Sequence, residues 1–436
     1  MKLTADIELN LPSDARTGGC LTMPEVLRWR ALHQAERTAF RFLQNGEEET
    51  TVMSYAELAE SVESIAGFLQ QQGLVGERVL ILLPIGAEYV LAILGCMAAG
   101  AIPVPMAAPR PKRQCERLET IARDSLAKGV ITSFALRDAL ATELDELTRH
   151  TNCSVFTIEE CHSSNVWTPV TVDAQTLAYI QYTSGSTTAP RGVMVTHGNV
   201  LHNCQAIAAA SQRDDADVVV SWLPFFHDMG LVGTLFCPLL YGYPLVFMPP
   251  EAFVMRPIRW LNLISKYRGT FSPAPNFAYD LCVQKISSEQ RQSLDLSSWR
   301  VAFNGSERIS DRSLNEFAKL FGPCGFSPQT MRPCYGLAEA TLMVTCSTVD
   351  QPPRISQFRS SALALGTAVP VSDGTSLVSC GQPVESTEVV IVDPETRKLC
   401  PEGIVGEILI SGPGVTAGYW NNQELTAELF EARIAD

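Results

Sequence analysis

Charged residues are scarce in this chain of 436 residues: Asp, Glu, Lys and Arg make up 18%, against roughly 25% in an average soluble protein. With 46% hydrophobic residues, a large folded core is expected, and disorder, collagen and coiled coil are excluded. Basic residues are the scarcer sign, 33 against 47 acidic, for a net charge of −14. That balance argues against a general nucleic-acid or anionic-membrane binder, which needs a surplus of Lys and Arg on one face. The 13 cysteines are odd in number and contain no C-x-x-C pair, so neither a disulfide framework nor a zinc knuckle is indicated. A reducing, cytoplasmic setting is expected.

Several motifs are also missing. No uninterrupted apolar run is long enough for a membrane span, since Pro84, Glu88, Pro103 and Pro105 break the greasiest stretch, from Val79 to Ala108. The first residues lack the apolar core of a signal peptide. No H-E-x-x-H metal pattern occurs, and G-x-S-x-G is absent, which leaves a serine hydrolase weak. Ser125 and Lys128 match S-x-x-K without its companion motifs. Gly and Pro are scattered, so no linker divides the chain cleanly.

What is present alternates. Ser54-Tyr55-Ala56-Glu57 is a capping box, and Leu58, Val62, Ile65 and Leu69 follow at helical spacing up to Gly73. The continuous apolar run from Arg78 to Leu83 predicts a strand buried on both faces. Helical stretches then alternate with short apolar runs at 102–104, 129–132, 155–158, 178–182, 218–220, 245–247 and 301–303. Such alternation implies parallel sheets with crossovers. The stretch from Met229 to Leu240 is apolar nearly all round and predicts a buried helix. After about Leu342 the pattern turns to antiparallel strands, with 388–392 and 406–410 joined through a turn at Asp393-Pro394-Glu395-Thr396.

Four segments could carry chemistry. Thr183-Ser184-Gly185-Ser186-Thr187-Thr188, followed by Pro190-Arg191-Gly192, places five hydroxyls, a glycine and a cation after a strand. Freed backbone N–H groups, hydroxyl donors and a guanidinium suit a polyphosphate, and this outweighs a plain solvated loop. It is not a Walker loop, because Gly185 and Gly192 stand seven apart and no Lys follows. In Leu223–Gly230, His227 and Asp228 stand where a strand ends, the edge at which open α/β sheets bind ligands. Helix capping by Asp228 is an equally good reading. Asn304-Gly305-Ser306-Glu307 and Tyr335-Gly336-Leu337-Ala338-Glu339 also follow strands. An aromatic face for a flat ring and an acidic group for Mg²⁺ are what nucleotide chemistry requires. The small basic run Arg110 to Arg113 reads chiefly as a solvated loop.

The ordered set YTSGSTTAPRG (182–192), LPFFHDMG (223–230), NGSE (304–307), YGLAE (335–339) and GEILISGPGVTAGYW (406–420) resembles the adenylate-forming, AMP-binding superfamily. The wording HDMGL, NGSE, YGLAE and LDLSSWRVAFN (294–304) resembles its fatty acyl-AMP ligase branch. The resemblance implies two parallel-sheet α/β subdomains packed together, near 1–180 and 181–345, plus a smaller distorted β-barrel subdomain at 346–436. The last would hold the branch's insertion, near 350–378. The resemblance further implies a ligase that joins a fatty acid to ATP as acyl-AMP, with an acyl carrier protein, or a carrier domain of a polyketide or nonribosomal synthase, as acceptor. Carried over by motif, Thr183, Ser184, Gly185, Ser186 and Thr187 would wrap the ATP phosphates with Arg191 beside them. Glu339 would hold Mg²⁺. Asn304, Gly305, Ser306, Glu307 and Gly336 would border the nucleotide, Tyr335 would stack on adenine, and His227 would stand at the mouth of the acyl tunnel. Thr188 and Arg191 replace the usual Gly and Lys. The ribose-binding aspartate and the lysine-bearing C-terminal lid are expected beyond Asp436, so full catalysis by this chain stands open. A fatty acyl-CoA synthetase and a catalytically silent acyl- or nucleotide-binding module are the alternatives.

Overall fold

The structure is a computed structural model that describes residues 19–109, 115–162, 166–183 and 190–435. Its first sheet is parallel, with β3 (Arg78–Ile81) and β5 (Gly129–Thr132) between β4 (Ile102–Pro105) and β6 (Ser154–Thr157), in the order β4-β3-β5-β6. The helix Tyr55–Gln71 begins at the predicted capping box: Ser54 N–H donates to Glu57 Oε2 at 2.8 Å, and Glu57 N–H donates to Ser54 Oγ at 3.3 Å. Leu58, Val62, Ile65 and Leu69 form its buried stripe, which packs on the apolar helix Ala87–Ala99.

A second sheet runs β2 (Thr51–Ser54), β1 (Thr38–Phe42), β10 (Leu245–Phe247), β9 (Val219–Ser221). β1 is antiparallel to β2 and parallel to β10, so residues 38–54 share a sheet with residues 219–247. Phe271 bridges Val219 and Val301 in parallel fashion. Through it the sheet reaches β12 (Ala302–Gly305), which lies parallel between β11 (Ala274–Pro275) and β13 (Met331–Gly336). The strands β7 (Leu177–Thr183) and β8 (Arg191–Thr196) form an antiparallel hairpin, with β7 packed beside β4.

In the last third, β14 (Met343–Cys346) is antiparallel to β13 and to β17 (Gln382–Pro383). Two further hairpins join β15 (Ile355–Phe358) to β16 (Thr375–Val378) and β18 (Glu388–Val392) to β19 (Glu407–Ser411). The segment expected to be an insertion therefore folds as its own hairpin. Backbone bonds from Ala368 N to Gly403 O (2.7 Å) and from Val405 N to Gly366 O (2.8 Å) tie it to the neighbouring turn.

Residues 228–241 form one buried helical rod, as their all-round apolarity predicts: α-helical at Asp228–Leu231, π-helical at Val232–Phe236 and α-helical at Cys237–Tyr241. The guanidinium of Arg30, itself buried, donates to the carbonyls of Leu239 (3.3 Å) and Leu240 and so satisfies the rod's C-terminal end. No helix among the described residues is long and apolar enough to cross a membrane.

Candidate active site

The rod follows the C-terminal end of β9, and its first turn lies so close to the preceding loop that only glycine fits at position 230. A Cβ at Gly230 would lie 2.1 Å from the carbonyl oxygen of Pro224. His227, rather than Asp228, holds the N-cap position, and its backbone carbonyl accepts from Leu231 N at 2.9 Å. His227 Nδ1 lies 2.7 Å from Asp228 Oδ1, and that carboxylate also accepts from Met229 N at 2.6 Å. The imidazole is half exposed while its partner is buried. Burial works against the charged ring, but the hydrogen bond to Asp228 and its negative charge prevail, so His227 titrates above the usual histidine value.

His227 stands at the rim of a solvent-open cleft whose empty space, solvent at its mouth included, is about 650 Å³. The cleft brings together four more of the predicted residues: Gly305, Ser306, Tyr335 and Gly336. Its inner wall is apolar, built from Ile207 and Met229 with Phe271, Phe303 and Leu342, and Gly233 of the π turn opens onto it. The pairing of β13 with β14 slips register between Tyr335 and Gly336, a bulge that re-aims the tyrosine. Burial, followed by the charge of Glu339, holds the Tyr335 phenol above its ordinary range. A Cβ at Gly336 would fall 1.7 Å from Leu342 O. Ser306 sits at φ +66°.

Two residues of the NGSE turn face elsewhere. Asn304 is fully buried beneath the cleft, its amide 3.5 Å from Asn276 Oδ1. The Glu307 carboxylate accepts from Phe277 N at 2.7 Å in the first turn of the helix Asn276–Lys285. It serves as a cap there.

Glu339 lies on a short turn, Ala338–Ala340, and borders a second, neighbouring cleft of about 890 Å³ that it shares with Tyr419 and Phe430. Tyr419 O–H donates to Glu339 Oε1 at 2.6 Å, and the Arg191 guanidinium stands 5.7 Å from the centre of the Tyr419 ring. Burial first, then the hydrogen bond to Glu339 and its charge, push the Tyr419 phenol up to about 12, with Arg191 pulling the other way. Thr183 ends β7 opposite Arg191 on β8. Ser184, Gly185, Ser186, Thr187 and Thr188, the predicted phosphate turn between them, lie outside the described residues. The two strand ends that carry this turn are thus joined to Glu339 through Tyr419.

Tyr419 has no role assigned by sequence, although the G-Y-W ending of its motif is a signal. Asn203, buried on the helix His197–Ala210, was missed altogether. Its amide donates to Ala340 O (3.3 Å) and Met343 O (3.0 Å) and accepts from Met343 N (3.0 Å), which fastens the loop carrying Glu339. No local pattern marks it.

A model of the AMP-binding enzyme family matches residues 27–420. A medium-chain-fatty-acid acyl-carrier-protein ligase of Moorena producens is 40% identical over 427 residues, which are 95% of this chain and 72% of that protein. A long-chain-fatty-acid AMP ligase of Mycobacterium tuberculosis is 33% identical over 422 residues, 94% of this chain and 72% of its own length. The crystal structure of a fatty acyl-adenylate ligase from Legionella pneumophila, in complex with acyl adenylate and pyrophosphate, superposes with a TM-score of 0.86 at 35% identity. The match covers 95% of this chain and 72% of that one.

Proposed function

The chain belongs to the AMP-binding enzyme family, and from that premise we propose that it activates a fatty acid with ATP, forming acyl-AMP and pyrophosphate. It is an ATP-dependent ligase of the fatty acyl-AMP ligase kind. The observation that carries the reading is one cleft with an apolar interior, His227 paired to Asp228 at its rim and Tyr335 on its wall, four residues from Glu339.

Attack of a carboxylate on the α-phosphorus of ATP requires two anions to be aligned and the developing charge to be neutralised. No protein nucleophile is needed. In this reading the alkyl chain fills the space between Met229, Phe303 and Leu342, and His227 meets the carboxylate at the rim. Tyr335 stacks on adenine while Gly305, Ser306 and Gly336 border the nucleotide. Asn304 supports that turn from below, and Glu307 contributes through its backbone. Thr183, Ser184, Gly185, Ser186, Thr187 and Arg191 wrap the phosphates.

Glu339 is the residue that would hold Mg²⁺. A lone carboxylate suits an ion that takes one or two protein carboxylates and fills its other positions with phosphates and waters. Among the described residues no cluster of three His, Cys, Asp or Glu could hold a metal without such help. When bound, Mg²⁺ would neutralise phosphate charge. The acceptor we propose is an acyl carrier protein or a carrier domain of a larger synthase, supported by the name of the relative at 40% identity. The hairpin at 355–378, taken as the insertion of the acyl-AMP ligase branch, supports this acceptor over CoA. A cytoplasmic site of action is supported by the twelve cysteines, from Cys20 to Cys400, that are free among the described side chains.

The test is ATP–pyrophosphate exchange and mass-spectrometric detection of acyl-AMP in the presence of Mg²⁺ and fatty acids of graded length. Exchange that depends on the acid is expected. A protein that binds neither ATP nor acid, or exchanges without acid, refutes the reading.

A further inference from the structure

The motif 406–420 has no part in the reading above, yet its last residues are built into the site. Residues 417–420 run along β8 without forming a regular strand. Met194 N donates to Gly418 O (2.9 Å), Ala417 N to Met194 O (3.1 Å) and Trp420 N to Gly192 O (2.7 Å), and Val193 bridges Tyr419 in antiparallel register. On its other side the same segment grips the loop of Glu339. Thr416 N donates to Glu339 O at 2.9 Å, and Thr341 Oγ1 donates to Gly414 O at 2.7 Å. That last bond holds a buried, β-branched residue at φ +68°, a conformation that costs about 1–3 kcal/mol and persists only when its surroundings enforce it. Asn199 adds bonds to Pro413 O (2.8 Å) and Val415 O (3.2 Å). One strap therefore touches both the hairpin behind the hydroxyl-rich turn and the acidic loop.

Tyr419 is the side chain that spans the two. Its ring is 4% exposed and packs edge-on against Phe430, with centroids 5.2 Å apart at 88°. Its hydroxyl reaches Glu339 Oε1 at 2.6 Å, within the range of a charge-assisted bond, while Arg191 lies over the ring. A glutamate on a short turn has several rotamers open to it, and a fixed donor on one carboxylate oxygen selects among them. Catalytic groups need placement to within about 0.5 Å, which such supporting bonds supply.

We propose that Tyr419 is a positioning residue that sets the Glu339 carboxylate against the phosphate-binding hairpin, holding one oxygen by its hydroxyl and seating Arg191 on its ring. The assignment rests on Glu339 being the metal carboxylate. It extends to the strap 413–420, whose backbone bonds fix where the tyrosine stands.

The test uses Tyr419→Phe, which keeps the ring and removes only the hydroxyl, with Glu339→Gln beside it. ATP binding is titrated calorimetrically at graded MgCl₂ and again in EDTA, with thermal unfolding recorded for each protein. For Tyr419→Phe the half-saturating Mg²⁺ for ATP binding should rise by about 10-fold or more, the usual effect of losing a group that orients a ligand. Binding in EDTA and Tm should stay at the unsubstituted values. An unchanged Mg²⁺ dependence in Tyr419→Phe, with the dependence altered in Glu339→Gln, overturns the role of Tyr419 alone. An unchanged dependence in both overturns the metal role of Glu339 as well. A parallel loss of Tm and of both binding modes in Tyr419→Phe makes the residue a packing element and also overturns the proposal.

Discussion

Gly336→Ala is the smallest change that should disable the site. The added Cβ would stand 1.7 Å from Leu342 O and 2.7 Å from Leu342 C, both backbone atoms that cannot rotate away. To regain even a close carbon–oxygen contact the strand and the loop must part by about 1.3 Å or more. That movement breaks the Leu337 N to Leu342 O bond, now 3.0 Å, at a stability cost of about 1 kcal/mol. It also shifts Tyr335, the neighbour of Gly336, against Glu339, which lies in the loop between Gly336 and Leu342. A misplacement of about 1 Å costs roughly 10²-fold in rate, or about 2.7 kcal/mol of transition-state stabilisation. Acid-dependent ATP–pyrophosphate exchange should therefore fall about 100-fold while Tm drops by only a few degrees. Gly322→Ala is the control, because a Cβ there meets no atom within 4 Å. A Gly336→Ala protein that keeps more than half of the exchange rate would refute the reasoning.

The His227–Asp228 pair gives a pH prediction. Its folded-state value is raised, so the pair's stabilisation is full below the ordinary histidine value near 6.5 and is lost as pH rises through the raised one. Asp228→Asn should move that upper limb to lower pH, in the NMR titration of His227 and in the exchange profile together; an unmoved limb contradicts it. His197 runs the other way. Burial holds it down at about 4, with Asp173 opposing weakly, and its Nδ1 accepts from Met23 N at 3.4 Å. Its contribution is present above about pH 6.5 and lost as pH falls towards 4. His197→Gln should flatten the fall of stability in that window by up to about 1.4 kcal/mol per pH unit in urea titrations, and an equal slope would count against the assignment. Phe236→Ala, in the fully buried π turn, should cost about 3–5 kcal/mol by urea unfolding; a loss below about 1 kcal/mol would mean that the rod is not packed as described.

The elements that could be read from sequence are those whose signal is local. The capping box at Ser54, the buried runs that became β3, β5 and β10, and the apolar rod after His227 each follow from spacing within a few residues. What escaped depends on contacts far apart in the chain. β1 pairs with β10 some 200 positions away, so no local periodicity reveals that residues 38–54 close the second sheet. The π turn at 232–236, Val-Gly-Thr-Leu-Phe, carries only one glycine and one threonine in an apolar run, too little to distinguish it from an α-helix. In sequence Glu307 belongs with its neighbours in NGSE, whereas its carboxylate accepts from Phe277 N, 30 residues earlier, and caps the helix Asn276–Lys285. Tyr419 acquires its meaning only when the fold sets it between Arg191 and Glu339.

The most direct test of the account is a crystal structure with a hydrolysis-resistant acyl-adenylate analogue. Adenine is expected against Tyr335, the phosphate-mimicking linker between His227 and the turn joining Thr183 to Arg191, and the alkyl chain among Met229, Phe303 and Leu342. An analogue seated elsewhere, or an alkyl chain left in solvent outside that cleft, would contradict it.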